Sequence, residues 1–316
     1  MSRMRLLQEA KGQVFEGFVL VKSAAVRPNA KGVEYLDLVL ADDCGECAAK
    51  LWDYSPSAYG IYEADDIVKV RGSIVIWKDV EQLKIERIRH SVRDDGVDLS
   101  KLIPCSPYDS EKLYNELYEL AEGFENRDYT RLVQYILREN KQRLLIFPAG
   151  MKLHHATRGG LLHHTYSIVR LCREIVKLYP ALNSDLLYSG AILHDIGKLY
   201  ELEVGELGIA GAYTNEGQLI GHINLGVSLV SSAAELLGIE RKTSMLVEHL
   251  LLSHHGQPEF GSPKLPMLPE AEVLATCDLL DSKLYEMFAA LDGVMPGGFS
   301  ERQWALDNRQ LYKEER

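Results

Sequence analysis

Adjacent histidine and aspartate residues stand at the centre of the stretch DLLYSGAILHDIGKLYEL, residues 185–202. His194 and Asp195 carry side chains of the kinds that bind metal ions, and Lys198 follows one helical turn later. The surrounding residues are mostly apolar, which predicts a largely buried helix. Because a buried charge must be paired or bound to a metal, these residues predict a functional centre. The alternative is an ordinary polar pair near a helix end.

Histidines are concentrated in one part of the chain, since nine of the ten fall between His154 and His255. Helical spacing distinguishes the two at 163 and 164. His164 lines up with apolar residues of its predicted helix, whereas His163 lines up with polar ones. We therefore expect His164 to face the core and His163 to face solvent.

Three further segments carry the same chemical groups. His222 opens the predicted helix GHINLGVSLVSSAAELLG, while His254 and His255 end the predicted helix MLVEHLLLSHHG just before a glycine. Asp278 and Asp281 share another predicted helix, and spacing does not choose between them. Imidazole and carboxylate together suit Mn, Fe, Co or Zn, and a helical bundle core is a usual place for such a site. Taken singly, each histidine could instead be a core residue without a metal.

The first part of the chain has the pattern of short strands. The strand-like runs are Val14–Lys22, Glu34–Ala41, Ala48–Trp52, Ile67–Ile76 and Val80–Arg89. A helix-like piece, Ser55–Ala64, separates the third run from the fourth. Five strands with a helix after the third is the arrangement of an OB-fold barrel. In the fourth run we expect one face to carry Val68, Val70, Ile74 and Ile76.

OB-fold barrels bind single nucleic-acid strands with aromatic platforms and nearby cations. The residues of these kinds on the predicted strands are Tyr35, Lys50, Trp52, Lys69, Arg71 and Trp77. We expect the aromatic rings to stack on bases and the cations to contact phosphates. The alternative is that the aromatic rings only close the barrel core.

Composition restricts the class of protein. The net charge of the 316 residues is −11, with 14 Lys+Arg and 17 Asp+Glu in residues 1–100. General nucleic-acid binders are basic, so any contact must rely on a local basic groove or on metal ions. The start, MSRMRLLQEAKG, predicts no signal peptide, and no run approaches the roughly 18 apolar residues of a membrane span. Five cysteines without a pairing pattern predict a cytoplasmic protein, and the lone CxxC of Cys44 and Cys47 predicts a turn.

The same patterns divide the chain into domains. We predict an all-β OB-fold barrel over residues 1–92, a polar linker over 93–108 and an all-α helical bundle over 109–316. Asp109 or Ser110 is expected to cap the first helix of the bundle, and a second helix is expected from about Asp128 to Leu145. A glycine-rich segment at 204–219 predicts a hairpin within the bundle.

The ordered set His164, His194-Asp195, His222, His254-His255 and Asp278 resembles the HD superfamily of metal-dependent phosphohydrolases, in particular members with two metal ions. The resemblance selects Asp278 over Asp281, and it implies that Asp195 bridges the ions. One ion would also bind His164, His194 and Asp278, and the other would bind His222, His254 and His255. Lys198 is expected to contact the substrate phosphate.

An OB-fold followed by an HD domain resembles the YhaM-type 3′-to-5′ exoribonucleases. The segments that carry the resemblance are YLDLVLADDCGECAAKLWD, the run from Pro148 to Thr165, YSGAILHDIGK and LSHHG. It implies hydrolysis of single-stranded RNA, and often DNA, from the 3′ end, with Mn²⁺ favoured. His154, His155 and Arg158 precede the first ligand and are expected near a phosphate, with exposed loop residues as the alternative. His163 departs from the pattern of many relatives without altering the expected site.

Three other functions stay open at this point. The HD domain could hydrolyse nucleotides or cyclic dinucleotides, it could be inactive in a non-catalytic single-strand-binding protein, or it could hold one metal and serve as a structural interaction domain. The sequence does not choose between RNA and DNA, or between a monomer and a homo-oligomer. The segment 299–316 could dock on its own domain or on a second subunit.

Overall fold

The computed structural model describes Met4 and residues 14–77 and 80–315, and the chain forms two compact units, Met1–Cys105 and Ser106–Arg316. The boundary between the units falls inside the segment expected to be a linker. Except for Met4, the residues on which the signal-peptide prediction rests lie outside the described part of the chain.

A closed barrel of five strands makes up most of the first unit. Its strands are β1 (Val14–Pro28), β2 (Glu34–Ala41), β3 (Glu46–Leu51), β4 (Ile67–Trp77) and β5 (Val80–His90). They are arranged in the order β1-β2-β3-β5-β4, and only the β3–β5 pairing is parallel. The short helix α1 (Pro56–Tyr59) follows β3. The OB-fold prediction is therefore confirmed, although the helix is shorter than Ser55–Ala64 because Gly60, at φ 87°, ends it.

The face of β4 that carries Val68, Val70, Ile74 and Ile76 is buried only along part of the strand. Val68 and Val70 are fully buried, whereas Ile76 is 73% exposed. Within the described residues, β1 pairs with β4 as far as Ser73, and β4 continues to Trp77 paired with β5. Ile76 therefore lies on the strand as predicted but is not part of the barrel core.

The segment after the barrel contains local structure. It forms the 3-10 turns Arg93–Asp95 and Leu99–Lys101, and it buries the apolar side chains of Leu102 and Ile103. The polar composition had predicted a plain linker over 93–108. The two buried residues instead anchor part of this segment.

The second unit is a helical bundle with one small hairpin. Its helices are α2 (Ser110–Glu122), α3 (Arg127–Leu144), α4 (Gly160–Leu178), α5 (Ser184–Leu193), α6 (Lys198–Glu201), α7 (Asn215–Leu237), α8 (Arg241–Ser253) and α9 (Pro269–Leu291), and the hairpin strands are β6 (Leu202–Val204) and β7 (Ala210–Tyr213). Asp109 caps α2 by accepting hydrogen bonds from the backbone N–H groups of Glu111 and Lys112. A mostly apolar core runs through the bundle, and the predicted hairpin is confirmed.

Helix α7 bends sharply at Gly221, whose backbone angles are φ 76° and ψ 155°. Residues with a side chain rarely adopt such a positive φ, so glycine suits this position. His222 begins the straight part of the helix beyond the bend. Within the described residues, α7 is also the helix whose length and composition would allow it to cross a membrane. A single helix of this kind is weak evidence for a span, since bundle core helices meet the same criteria.

The end of the chain packs on its own unit. Bridges join Phe299 to Tyr312 and Gln303 to Arg309, and Leu311 is buried. Lys313 Nζ also donates to the Leu291 carbonyl oxygen of α9, so the described part of segment 299–316 contacts its own unit, and docking on a second subunit stays a prediction. Trp304 stays 74% exposed.

Candidate metal centre

Five separate segments bring imidazole and carboxylate groups to one place in the bundle. His164 lies within α4, His194 and Asp195 occupy the turn after α5, His222 follows the bend of α7, His254 and His255 follow the end of α8, and Asp278 lies within α9. The side chains of His164, His194, Asp195 and His254 are almost completely buried. The expectation that His164 faces the core is confirmed.

Asp195 stands between two sets of side chains. Its Oδ2 atom lies 3.6 Å from His164 Nε2 and 3.4 Å from His194 Nε2. Its Oδ1 atom lies 3.5 Å from His222 Nε2 and 3.8 Å from His254 Nε2. Each carboxylate oxygen therefore faces a different set, which is the arrangement a carboxylate needs in order to bridge two cations.

Several atoms at the centre have no hydrogen-bond partner within the described residues, although they are buried. They are Asp195 Oδ1, His222 Nε2 and His254 Nε2, which all belong to the second set. Leaving buried polar atoms unpaired is costly, so native structures usually satisfy them. A cation between these three electron-pair donors would satisfy all of them, and the donor types fit a divalent transition metal.

The outer nitrogens of the same histidines are held in place. His194 Nδ1 lies 2.9 Å from the Ala191 carbonyl oxygen, and His254 Nδ1 lies 2.6 Å from that of Leu251. A carbonyl oxygen only accepts hydrogen bonds, so each Nδ1 must carry the proton. Each Nε2 then presents its lone pair to the centre, as a metal ligand requires.

Electrostatic effects at the centre favour ionised carboxylates. Burial opposes the ionisation of Asp195, but the Lys198 ammonium and His194 outweigh it and hold its pKa well below the usual value. Burial likewise opposes the ionisation of Asp278, but the neighbouring His164 outweighs it and lowers the pKa of this carboxyl. Burial also keeps the pKa of His254 well below its usual value, so that this imidazole stays neutral. Ionised carboxylates and neutral imidazole are the forms that bind metals.

Lys198 and His154 line a cavity of about 190 Å³ beside the centre. Its walls are formed by His154, Asp195, Lys198, His254, His255, Ala275, Asp278, Leu279 and Ser282. Lys198 Nζ lies 2.7 Å from Asp195 Oδ2. Burial and the nearby Lys198 charge lower the pKa of His154 to about 3, so its ring is neutral at pH 7. His154 therefore lies beside the candidate ligands, and its contact with a phosphate stays a prediction.

Two other residues expected near the phosphate make contacts within the protein. Both ring nitrogens of His155 are within hydrogen-bonding distance of protein side chains, 2.9 Å from Asp281 Oδ2 and 3.2 Å from His163 Nδ1. Arg158 Nη1 donates to the backbone oxygen of Glu206 in the β6–β7 hairpin. The ring of His155 is thus engaged by Asp281 and His163, and Arg158 contacts the hairpin, so a role of either residue at a phosphate stays a prediction.

His163 also differs from its predicted position. It is half-buried, with its ring 4.4 Å from that of His155 and 4.7 Å from that of Tyr108. Burial and the neighbouring His155 lower its pKa to about 4. The polar alignment that predicted solvent exposure could not show that the segment before α4 folds back over this side chain.

Sequence reasoning missed two carboxylates that contact the outer nitrogens of ligand-type histidines. Asp281 Oδ2 lies 2.8 Å from His164 Nδ1, and Glu201 Oε1 lies 3.1 Å from His222 Nδ1. The only sequence signal was that Asp281 shares a helix with Asp278. Glu201 had none, because its contact depends on the fold between α6 and α7.

On the barrel, the predicted nucleic-acid residues lie in three places. Tyr35 and Trp52 have ring centroids 4.8 Å apart, and Lys50 Nζ lies 5.1 Å from the Tyr35 ring.

Lys69 and Arg71 instead border a separate surface cavity with Arg87, Arg89, Glu16 and Glu86. Glu16 lies 3.5 Å from the Lys69 ammonium, so part of that positive charge is already paired. Trp77 is 62% exposed on the extension of β4.

Comparison with protein families identifies the class of the helical unit. A family model described as HD domain matches residues 161–283, which contain every histidine and aspartate of the centre. The helical unit is an HD domain, and it follows a closed five-stranded barrel.

Two relatives resemble nearly the whole chain. The 3′-5′ exoribonuclease YhaM of Geobacillus sp. (strain WCH70) is 40% identical over 302 residues, which are 96% of this chain and 92% of the relative. The 3′-5′ exoribonuclease YhaM of Listeria monocytogenes serotype 4b (strain CLIP80459) is 39% identical over 308 residues, 98% of this chain and 97% of the relative. This chain belongs to the family of the YhaM 3′-5′ exoribonucleases. It is a metal-dependent hydrolase.

A solved structure with lower similarity was also found. It is the HD domain of the phosphodiesterase PgpH from L. monocytogenes, which is 16% identical, has a TM-score of 0.29, and covers 49% of this chain and 74% of that chain.

Proposed function

We propose that this protein is a metal-dependent 3′-to-5′ exonuclease that hydrolyses phosphodiester bonds of single-stranded RNA, with single-stranded DNA as a second substrate. The observation that carries the proposal is the placement of Asp195 between two sets of metal-type ligands inside an HD domain. The relatives named 3′-5′ exoribonuclease support the direction and the type of substrate. We also propose a cytoplasmic location, from the cysteine pattern in the sequence.

We propose two divalent ions per chain, with Mn²⁺ as the first expectation and Fe, Co or Zn as alternatives. The first ion would take His164, His194, Asp195 and Asp278. The second would take Asp195, His222, His254 and His255. The three histidines of this second set have ring nitrogens within 4.8 Å of one another, which is close enough to share one ion.

A pair of bound divalent ions supplies a water of lowered pKa and stabilises negative charge on the phosphate during in-line displacement. The residues around the cavity would position the substrate for that step. Lys198, with its buried ammonium group, would contact a non-bridging phosphate oxygen and offset the charge that develops there. The neutral ring of His154, which lines the same cavity, would hydrogen-bond to the phosphate or the leaving oxygen.

The size of the cavity favours the end of a polymer over an enclosed small molecule. Sites that enclose a whole drug-sized ligand have volumes of roughly 300–1,000 Å³. The cavity here has about 190 Å³, part of which bound ions would fill. A cyclic dinucleotide would not be enclosed, whereas the terminal phosphodiester of a strand would fit.

The barrel would bind the strand to be degraded. Tyr35 and Trp52 offer adjacent rings for base stacking, and Lys50 lies beside both rings for contact with a phosphate. Lys69 and Arg71 would contact the strand at the surface cavity that they border, where carboxylates balance part of their charge. Because the chain is acidic overall, we propose that binding depends on these local groups and on the metal ions.

The proposal is tested by a time course on 5′-labelled single-stranded RNA with Mn²⁺, with EDTA in a parallel reaction. We expect a ladder of products that shorten from the 3′ end only when the metal is present. RNA that stays intact in both reactions would overturn the exonuclease assignment, and cleavage of nucleotides or small phosphodiesters would then identify another HD hydrolase activity.

Replacing Trp52 by alanine is expected to weaken binding of single-stranded RNA while leaving the metal centre intact. Stacking of a base on an aromatic side chain is worth roughly 1–3 kcal/mol, which corresponds to an affinity loss of about 5- to 150-fold. Fluorescence anisotropy with labelled RNA in EDTA measures binding without cleavage. The exposed Tyr213→Ala variant, at the hairpin of the helical unit, is a matched control, and equal affinities of all three proteins would exclude stacking at Trp52.

A further inference from the structure

Each of the two proposed ligand sets contains one histidine held by its own backbone and one held by a carboxylate. In the first set His194 is oriented by the Ala191 carbonyl oxygen, and His164 by Asp281. In the second set the Leu251 carbonyl oxygen orients His254. Glu201 completes this pattern through its contact with His222.

We propose that Asp281 and Glu201 are positioning residues, each of which sets the affinity of one ion site without touching the ion. This inference rests on the proposed function, since it concerns the same metal centre. Asp281 would act on the site that contains His164. Glu201 would act on the site that contains His222.

Asp281 is well placed for this role because a second histidine, His155, also holds its carboxylate. Its Oδ2 atom lies 2.8 Å from His164 Nδ1 and 2.9 Å from His155 Nε2. The ring of His155 packs 4.0 Å from that of Tyr285 and 4.4 Å from that of His163. The carboxylate is thereby fixed, and it fixes the ring that offers Nε2 to the ion.

Glu201 holds His222 at two points. Its Oε1 atom accepts a hydrogen bond from the backbone N–H of His222 at 3.0 Å and lies 3.1 Å from Nδ1 of the ring. The bend at Gly221 leaves the first N–H groups of the following helical segment without helical partners, so this carboxylate also caps that segment. Both the position of the backbone and the orientation of the ring therefore depend on one side chain.

The physical effect of such carboxylates on a metal site is twofold. A hydrogen bond from Nδ1–H to a negative group fixes the tautomer and makes Nε2 a stronger donor to the ion. Loss of a partner of this kind typically weakens metal binding roughly 10- to 100-fold. The ions keep their direct ligands, so each site weakens without being removed.

The test is a Mn²⁺ titration of the full-length chain, stripped of metal and followed by calorimetry and by electron paramagnetic resonance of unbound Mn²⁺. Asp281→Asn and Glu201→Gln keep the shape of each side chain while removing its charge. We expect each variant to bind one ion with wild-type affinity and the other roughly 10- to 100-fold more weakly. The controls Glu272→Gln and Glu203→Gln change exposed acids near the same two positions and should bind both ions as the wild type does.

A second set of variants assigns each carboxylate to its site. In a His222→Ala background, which lacks a ligand of the second site, Asp281→Asn should weaken the remaining ion, and Glu201→Gln should have no further effect. A general structural role would instead weaken both ions together in the single variants. That result would overturn this inference but not the proposed function. The same holds if the wild type binds two ions and both variants bind them with unchanged affinity. A wild type that binds no Mn²⁺ would overturn the proposed metal centre along with it.

Discussion

Replacing Asp195 by asparagine is expected to remove both bound ions and to reduce exonuclease activity by at least about 10³-fold. Asparagine has nearly the same shape, but its neutral amide cannot bridge two cations as the carboxylate oxygens can. Loss of a single electrostatic contribution to the transition state commonly costs about 10²–10³-fold, and here the contributions of both ions are lost together. Metal content by elemental analysis and cleavage of labelled RNA measure the two effects.

The fold must be monitored separately, because Lys198 would lose the charge partner that lies 2.7 Å away. Thermal unfolding in EDTA compares variant and wild type without metal, and we expect a cooperative transition in both. Asp307→Asn makes the same chemical change at a side chain that is 81% exposed, and it should leave metal content and activity unchanged. An Asp195→Asn protein that cleaves RNA at the wild-type rate would refute the proposed mechanism.

Replacing Gly197 by alanine is expected to destabilise the helical unit and to remove the second ion. A Cβ atom at this position would lie 1.9 Å from the carbonyl oxygen of His222 and 2.6 Å from the backbone nitrogen of Gly226. Both are main-chain atoms, so the turn before α6 and the helix α7 would have to separate. Overpacking of this kind costs about 1–3 kcal/mol, and the separation would carry His222 away from Asp195.

Urea unfolding in EDTA measures the free energy of unfolding, and a Mn²⁺ titration counts the ions that still bind. Gly211→Ala is the matched control, because no atom lies within 4 Å of a Cβ at that position and its φ is not positive. Equal stability and two bound ions in Gly197→Ala would show that the close approach of the two segments does not matter for the site.

Residues that the sequence correctly placed at the centre share a simple signal. His164 stands on the apolar face of an amphipathic helix, and His222 and His254 stand at helix ends marked by glycine, so local periodicity and stop signals were enough. The five strands of the barrel were likewise recognised from alternation and turns. Strand ends were less certain, as Ile76 shows, because they depend on which neighbouring strand continues.

The residues that sequence reasoning missed or misplaced depend on contacts between distant segments. Asp281 and Asp278 share a helix but meet different nitrogens of His164, Nδ1 and Nε2 respectively. Glu201 meets His222 only because α6 and α7 approach at Gly197. His155 lies in a loop without periodicity, and its burial follows from packing against α4 and α9.

The ligand sets draw on five segments that span the chain from His164 to Asp278, and this arrangement would make the ions reversible cross-links of the bundle. Ions that bind the folded chain alone add stability that grows with their free concentration, about 2.7 kcal/mol at 100 times the dissociation constant. Scarcity of the metal would thus do more than stop catalysis. It would loosen the helices from one another and shorten the lifetime of the protein in the presence of proteases, so that the supply of the ion sets both how fast each molecule works and how many molecules persist.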